Sequence, residues 1–328
     1  MQTKRPTLRR AAVTLSIAAA GIAAASMPAL AQDNARPIRI VVGAPAGGTT
    51  DTLARAVGRG MEVSLKRPVI VENRGGAGGN IAAEMVARSA PNGETILMSF
   101  TSHTINASLY PKLPFDPIKD FTPITMVATV PSVLIANHNV PANTLAELLD
   151  HAKKHPGALN FAIGGSGSSL HLAGEQLKMM TGANIVNVAY KGTNPAVTDV
   201  LAGHVELMFA SALNVLPHLQ GGKIKLLGVT SATPMPQFPN VPPIGKTVKG
   251  FESNAWFGLF GPAKMPAEVT QRLYEAAKKA IEDPAFVKKL ETDGGTPSAM
   301  PPQQFGEFVV RDVQHWAKVV KFSGAVAE

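Results

Sequence analysis

Apolar runs alternate with helical spacings over the first hundred residues of the chain, in an order that predicts a parallel sheet. The predicted elements are strands at 38–42, 68–71 and 94–99 and helices at 51–66 and 81–89. In the first helix, leucine, valine and methionine recur every four residues, which is typical of one buried helix face. Because the order is βαβαβ, we expect parallel strands joined by right-handed crossovers.

The same alternation begins again at residue 159, so the chain predicts two α/β units of similar plan. A further strand at 255–260 is expected to return to the first unit. Domain 1 is therefore predicted at 32–135 together with 251–328, and domain 2 at 136–250. With only two crossings between the domains, this layout gives a two-strand hinge, as in proteins that close around a ligand.

The first 31 residues read as a signal peptide rather than as part of the fold. Basic residues at positions 4, 5, 9 and 10 precede an apolar stretch at 11–25, and Ala29-Leu30-Ala31 has the form of a cleavage site. A membrane anchor is the alternative, but the apolar stretch is too short to span a bilayer comfortably. We therefore expect cleavage after about Ala31 and an exported protein.

Composition and charge narrow the classes of function. The 328-residue chain is 45% hydrophobic and 16% charged, as expected for a globular protein with a substantial core. Without the four basic residues of the signal peptide, 27 basic residues face 23 acidic ones, a net charge of +4. No basic run interleaved with aromatic residues remains, so we expect no nucleic-acid partner. The absence of cysteine excludes disulfides and thiolate metal sites.

The turn after the first strand is the strongest candidate for chemistry. Residues 43–51 read GAPAGGTTD, a glycine-rich connection between a strand and a helix. Such a turn directs free backbone N–H groups and the positive end of the helix toward an anion. The alternative is a tight turn that needs small residues for its geometry alone. Asp51 is either a ligand group or a first-turn acid that stabilises its helix.

Other polar residues follow later strands, at the sheet edge where ligands of open α/β folds collect. Of these, His171 either contacts a ligand or satisfies a neighbouring carbonyl group. The complete predicted set of ligand-binding residues is Ala46, Gly47, Gly48, Thr49, Asp51, Ser102, Ser166, Gly167, Ser168, Ser169, His171, Tyr190, Lys191, Gly192 and Ser211.

No catalytic or cofactor motif is complete. The glycine-rich turns lack the G-x-G-x-x-G pattern with its acidic partner, and Asn240 stands where a P-loop requires its first glycine. Ser166 is not in a G-x-S-x-G elbow, because Ser168 replaces the final glycine. His151 and His155 are four residues apart, but they lie in the last turn of a predicted helix, where cations complement the helix dipole. We therefore expect no catalysis, no cofactor and no metal.

Several motifs resemble the Bug family, also called TctC-like, in order along nearly all of the mature chain. These are the extracytoplasmic solute-binding receptors of tripartite tricarboxylate transporters. The motifs are VGAPAGGTTD at 42–51, VENRGGAGGN at 71–80, PNGET at 91–95, FDPIKDFTP at 115–123, SLHLAG at 169–174, YKG at 190–192, SNAWFG at 253–258 and WAKVV at 316–320. The turn departs from the family's pattern at Ala44 and Ala46, where an aromatic residue and a proline are common.

The resemblance implies a two-domain α/β periplasmic-binding-protein (Venus flytrap) architecture without catalysis. It implies ligands that are small carboxylates, including di- and tricarboxylates and aromatic acids. Residues 46–49 would hold a carboxylate through backbone amides and ordered water, and 166–169, 190–192 and Ser211 would supply the facing wall. The partners implied are the carboxylate and the membrane permease subunits, and we expect a monomer.

Two alternatives to a transport receptor remain open from the sequence. One is a receptor that signals through a sensor kinase. The other is an exported hydrolase that uses Ser166 or His171.

Overall fold

The computed structural model of the protein describes residues 36–327, so the predicted signal peptide lies outside the described residues. The strands are β1 Ile38–Val42, β2 Val69–Asn73, β3 Thr95–Phe100, β4 Phe121–Val130, β5 Ser132–Asn137, β6 Asn160–Ile163, β7 Val186–Ala189, β8 Leu207–Ser211, β9 Ile224–Val229, β10 Ala255–Pro262 and β11 Thr296–Met300. The α-helices are α1 Thr49–Leu65, α2 Asn80–Ala87, α3 Ser102–Leu109, α4 Leu145–Lys154, α5 Ser169–Thr181, α6 Thr193–Ala202, α7 Ala212–Val215, α8 Ala267–Ile281, α9 Pro284–Thr292 and α10 Pro302–Ser323.

The first sheet has the strand order β11-β4-β10-β3-β1-β2. Strand β1 pairs in parallel with both β2 and β3, as the βαβαβ pattern predicts. Strand β10 returns from the far end of the chain and lies antiparallel between β3 and β4. Ile40, Val41 and Val42 of β1 are fully buried. Burial on both faces explains why this strand reads as a continuous apolar run.

The second sheet has the order β7-β6-β8-β5-β9. Strands β6, β7 and β8 are parallel, and β5 runs antiparallel between β8 and β9. Its core residues, such as Phe161, Leu207 and Phe209, are distinct from those that cover the first sheet. The predicted α/β class is confirmed, with two mixed sheets covered by helices.

The chain passes between the sheets at two places. Strand β4 ends at Val130 and β5 begins at Ser132, so Pro131 alone separates a strand of one sheet from a strand of the other. The return runs from the end of β9 to the start of β10. Residues 132–135, which the sequence assigned to domain 1, thus lie in a strand of the second sheet, while the domain boundaries themselves stay a prediction.

The return segment is hydrogen-bonded to the first crossing through one threonine. The Oγ1 of Thr230 accepts from the backbone N–H of Ser132 at 2.8 Å and donates to Oδ1 of Asn254 at 3.2 Å. The N–H of Thr230 donates to the carbonyl of Ser132 at 2.9 Å. These bonds join the two connections side by side.

The directions of the strands bring the carboxyl ends of the parallel strands in both sheets to this crossing. Strands β3 and β4 are both antiparallel to β10, so β1, β3 and β4 end at the edge where β4 passes into β5. In the second sheet, Ser211 at the end of β8 pairs with Ser132 at the start of β5. The carboxyl ends of the parallel strands in both sheets therefore lie on the crossing side, where ligands bind in open α/β sheets.

Helices α3 and α7 and strand β11 were not predicted from the sequence. Helix α3 occupies residues 102–109, directly after β3, and β11 is an edge strand that pairs antiparallel with β4. Helix α3 mixes buried polar and apolar residues, among them Thr104 and Asn106, so its sequence lacks a clean apolar stripe. Strand β11 is short and half-buried, and only its pairing partner identifies it as a strand.

Candidate functional site

The turn after β1 is held in shape by Asp51. Its Oδ2 accepts from the N–H of Gly47 at 2.9 Å and from Nε of Arg55 at 3.1 Å, and its side chain is buried. Arg55 also donates to Oδ1 of Asn73 at 3.1 Å, and Asn73 donates to the carbonyl of Ala44 at 3.1 Å. Gly47 has φ +83°, a conformation that glycine adopts without strain. Asp51 is thus the internal anchor of the turn.

Burial acts to raise the pKa of Asp51, but hydrogen bonds from Arg55, Gly47 and Asn73 outweigh it, so the pKa lies below its ordinary value. The carboxylate is ionised at neutral pH, and the guanidinium of Arg55 lies 2.9 Å from its Oδ1. Its charge is therefore compensated by a neighbour rather than directed outward.

The first turn of α1 carries no side-chain cap. Gly48 is the N-cap residue and has no side chain. The first N–H groups of a helix have no partner within the helix. Ala46, Gly47, Gly48 and Thr49 are all exposed. An uncapped and exposed helix N-terminus favours an anion through its amides and dipole.

A cavity of about 1000 Å³ lies beside this turn and reaches the second sheet. It is lined by Gly47 and Thr49 from the first turn of α1 and by Ser211 from the end of β8. Three predicted ligand residues, from both halves of the chain, therefore share one cavity. Its apolar wall was not predicted. Leu53 and Ala56 of α1 belong to this wall, and the rest of it comes from segments distant in sequence: Val130, Leu213, Ala280, Phe286 and Leu290.

The turn after β6 differs, because its polar groups are bonded to the protein. Ser168 is the N-cap of α5, and its Oγ accepts from the N–H of His171 at 3.2 Å. The N–H of Gly167 donates to Nδ1 of His171 at 3.0 Å. The Oγ of Ser166 donates to the carbonyl of Val326 at 3.3 Å. Ser169, half-buried, begins the helix.

The turn after β7 packs against the turn after β6. The N–H of Gly192 donates to the carbonyl of Gly164 at 3.1 Å, and Lys191 beside it is exposed. The hydroxyl of Tyr190 donates to Oδ2 of Asp199 at 2.8 Å. Burial, together with this carboxylate, raises the pKa of Tyr190 to about 12, so the hydroxyl keeps its proton at physiological pH.

Ser102 lies half-buried at the first residue of α3. Its neighbour Thr101 is tied to β10, since its Oγ1 accepts from the N–H of Trp256 at 2.9 Å. This places Ser102 at the carboxyl end of β3, on the same edge as the turn after β1.

The histidine pair of the sequence occupies the end of α4. His151 lies in its last turn and His155 is its C-cap, with ring centroids 4.7 Å apart. Within residues 36–327, no group of three or more His, Asp or Glu side chains is arranged to hold a metal ion. In the same range, no helix has both the length and the apolar character to cross a bilayer.

Comparison with known proteins places these features in a family. Residues 53–324 match the family described as tripartite tricarboxylate transporter family receptor. BugT of Bordetella pertussis is 35% identical over 319 residues, which cover 96% of this chain and 97% of BugT.

Two similar solved structures carry carboxylates. An R. palustris protein solved with adipate is 31% identical, with a TM-score of 0.74 over 89% of this chain and 98% of that one. MatC from Rhodopseudomonas palustris, solved with bound malate, is 31% identical, with a TM-score of 0.70 over 87% of this chain and 99% of that one. With the family match over most of its length, this chain belongs to the tripartite tricarboxylate transporter receptor family.

Proposed function

We propose that this protein is a periplasmic solute-binding receptor that captures a small organic carboxylate between its two sheets. It then passes the acid to the membrane permease subunits of a tripartite tricarboxylate transporter. The observation that carries the proposal is the exposed, uncapped N-terminus of α1, which shares a cavity with Ser211 of the second sheet. The family match and the malate and adipate bound by two relatives support the ligand class.

Binding energy explains why both sheets must contribute. A micromolar dissociation constant needs about 8 kcal/mol. One anion at one helix N-terminus contributes about 0.3–1 kcal/mol, or ~2 kcal/mol when partly buried. Further amide and hydroxyl contacts, shielded from water, have to supply the rest.

We assign the ligand contacts as the sequence predicted them, except for Asp51 and His171, whose side chains are hydrogen-bonded to their own turns. The anion lies at Ala46, Gly47, Gly48 and Thr49, with Asp51 shaping their turn. The facing wall comes from residues 166–169 and 190–192 and from Ser211, while Ser102 contributes from the edge of the first sheet that carries the turn after β1. The apolar wall of the cavity favours acids with a hydrocarbon or aromatic body, because such a body gains free energy when it leaves water.

The proposal includes no catalysis. A serine hydrolase needs its nucleophile within hydrogen-bond reach of a base. Here Ser166 bonds to the carbonyl of Val326, and Nδ1 of His171 is occupied by the N–H of Gly167. This arrangement favours a binding role over the hydrolase alternative.

A thermal-shift screen of the purified mature protein tests the proposal. The panel contains malate, succinate, adipate, citrate and benzoate, with matched amides as uncharged controls. We expect at least one acid to raise Tm and its amide to have no effect, followed by calorimetric titration for Kd. A folded protein that binds none of the acids, and from which no acid is released on denaturation, would contradict the proposal. Sedimentation of the same sample checks the expected monomer.

A further inference from the structure

Three residues at four-residue intervals connect the turn after β6 with the interior of α5. They are Gly167 in the turn, and His171 and Glu175 in the helix. The side chains of His171 and Glu175 are almost completely buried, with 5% and 3% of their surfaces exposed. Two buried polar side chains in one helix need partners, and the structure shows what those partners are.

The histidine ring holds the backbone of the turn. The N–H of Gly167 donates to Nδ1 of His171 at 3.0 Å. Since Nδ1 accepts a hydrogen bond, a neutral ring carries its proton on Nε2. Nε2 lies 3.5 Å from Oε1 of Glu175, on the next turn of the helix. The ring therefore has one nitrogen directed to the turn and one directed to the carboxylate.

Glu175 is fixed as an anion by its surroundings. Burial alone raises its pKa, but hydrogen bonds from His171, Lys178 and Asn187 outweigh burial and lower the pKa to about 2. Lys178 forms an ion pair with Oε1, and Nδ2 of Asn187 donates to the same oxygen at 2.7 Å. The carboxylate thus gives the Nε2–H of His171 a constant partner.

The other side of the turn packs against α3, which follows strand β3 of the first sheet. Gly167 has φ +69°, and a Cβ at this position would come within 2.3 Å of the side chain of Leu109, at the end of α3. The turn is therefore confined between Leu109 on one side and the ring of His171 on the other. Its position relative to the cleft depends on both.

We propose that His171, oriented by Glu175, is a positioning residue that fixes the amide of Gly167 and so presents Ser166 and Ser168 to the ligand without touching the ligand itself. This inference rests on the proposed function, in which the turn forms the second wall of the site. Both ring nitrogens face protein groups, and the ring is buried, so it acts on the ligand only through the turn.

Replacement of His171 in two ways tests the proposal. In His171→Leu the acceptor of the Gly167 amide is lost. In His171→Asn, Oδ1 is bonded to Cγ as Nδ1 is in histidine, so it restores an acceptor near the same place. Leu177→Ala is the matched control, because it removes a buried apolar group of the same helix without contacting the turn.

The readouts are Kd for adipate and malate by calorimetry and hydrogen exchange of the Gly167 amide. We expect His171→Leu to weaken binding at least tenfold and to accelerate exchange at Gly167 by a similar factor. We expect His171→Asn to recover most of both losses. Leu177→Ala is expected to lower Tm while Kd stays within about twofold, because a core cavity affects the fold rather than the turn.

Other results would overturn the inference. One is a folded His171→Leu variant with wild-type Kd. Another is loss of binding in both His171 variants while the Gly167 amide stays protected, which would indicate direct contact between ring and ligand. If His171→Leu does not fold, ¹⁵N NMR of the wild type decides, since a protonated Nδ1 or a large ligand-induced shift of the ring contradicts the proposal. If no acid binds the wild type, the proposed function fails, whereas Gly167 exchange still tests the role of His171.

Discussion

The two glycine-rich turns after β1 and β6 occupy similar places in their sheets, but the helices that follow them begin differently. After β1, Gly48 gives α1 no side-chain cap, and the turn is exposed. After β6, Ser168 caps α5, and His171 takes the N–H of Gly167. In each turn, one glycine amide donates to the side chain four residues further along, Gly47 to Asp51 and Gly167 to His171. The first amides of α1 have no side-chain acceptor, whereas Ser168 accepts from one amide of α5. A glycine-rich sequence alone does not distinguish these cases.

The difference also appears in what holds each turn. Asp51 holds the first turn from the helix that the turn precedes, and Arg55 compensates its charge at the surface. Glu175 acts on the second turn through His171, from a buried position with Lys178 and Asn187. We therefore expect substitutions in the first turn to change binding and substitutions in the second to change stability and binding together.

The largest expected effect is that of Gly48→Asp on affinity. The new carboxylate would lie where the ligand's anion lies, and like charges in contact weaken binding by about 100-fold or more. Gly48 has φ −80° and an added Cβ would meet only an ordinary contact, so the fold accepts a side chain. As an N-cap, aspartate is better than glycine by only about a few tenths of a kcal/mol, so Tm should stay the same or rise slightly.

Gly48→Ala is the control for this prediction, because it adds the Cβ without the charge. Calorimetry should show a Kd within a few-fold of wild type for alanine and no measurable binding for aspartate. Wild-type affinity in a folded Gly48→Asp protein would show that the first turn is only structural.

The second prediction concerns the effect of low pH on the stability that the buried carboxylate of Glu175 provides. Its pKa is about 2 in the folded protein against an ordinary 4.5, so its contribution to stability is complete above about pH 4.5 and is lost as pH falls toward 2. The shift corresponds to about 3 kcal/mol at most. Glu175→Gln should therefore be less stable than wild type at pH 7, with a difference that shrinks near pH 3.

Urea unfolding of both proteins at pH 7 and pH 3 measures this difference. Asp51→Asn, measured in the same way, serves as the comparison from the first turn. Equal pH dependence in wild type and Glu175→Gln would show that the carboxylate is not the group that stabilises the second turn.

The third prediction compares two glycines of the second turn. In Gly167→Ala, the alanine has to adopt a left-handed backbone conformation, and its Cβ clashes with the side chain of Leu109. Together these effects lower the free energy of unfolding by about 2 kcal/mol. Gly165→Ala has open space around its Cβ and no positive φ, so its stability should stay within about 0.5 kcal/mol of wild type. Thermal unfolding of the pair checks this, and equal Tm values would contradict the tight fit between the turn and α3.

The smallest expected effect is that of Asp51→Asn. The amide oxygen still accepts from the N–H of Gly47, but the charged interaction with half-exposed Arg55 is lost, at a cost of about 1 kcal/mol or less. Removal of a negative charge beside the anion should leave Kd unchanged or lower it about twofold. A large loss of affinity would instead indicate that Asp51 contacts the ligand, as one interpretation of the sequence held.

The family motifs and the strand pattern predicted most of the fold. The buried run at 38–42 became β1, and the helix expected at 51–66 became α1 within two residues. Thr144 caps α4 by accepting from the N–H of Glu147, and residues 144–147 have the capping-box pattern in the sequence. These features are local, so nearby residues decide them.

Features that depend on distant partners were harder to predict. The sequence predicts an anion-binding turn after β1, yet the choice of Gly48 as the N-cap is visible only in the backbone. The four-residue spacing of Gly167, His171 and Glu175 is visible in the sequence, and it could have suggested that the three residues interact. What it could not show is that Leu109 closes the other side of that turn.

The sequence by itself determined where this chain turns, which strands are buried and which residues can offer amides and hydroxyls at strand ends. Only the tertiary structure decided that Gly47, Thr49 and Ser211 share one cavity, and which amides remain available. The reason is physical. A glycine or serine can donate to ligand, water or protein alike, and its actual partner is decided by the groups that folding brings within hydrogen-bond distance.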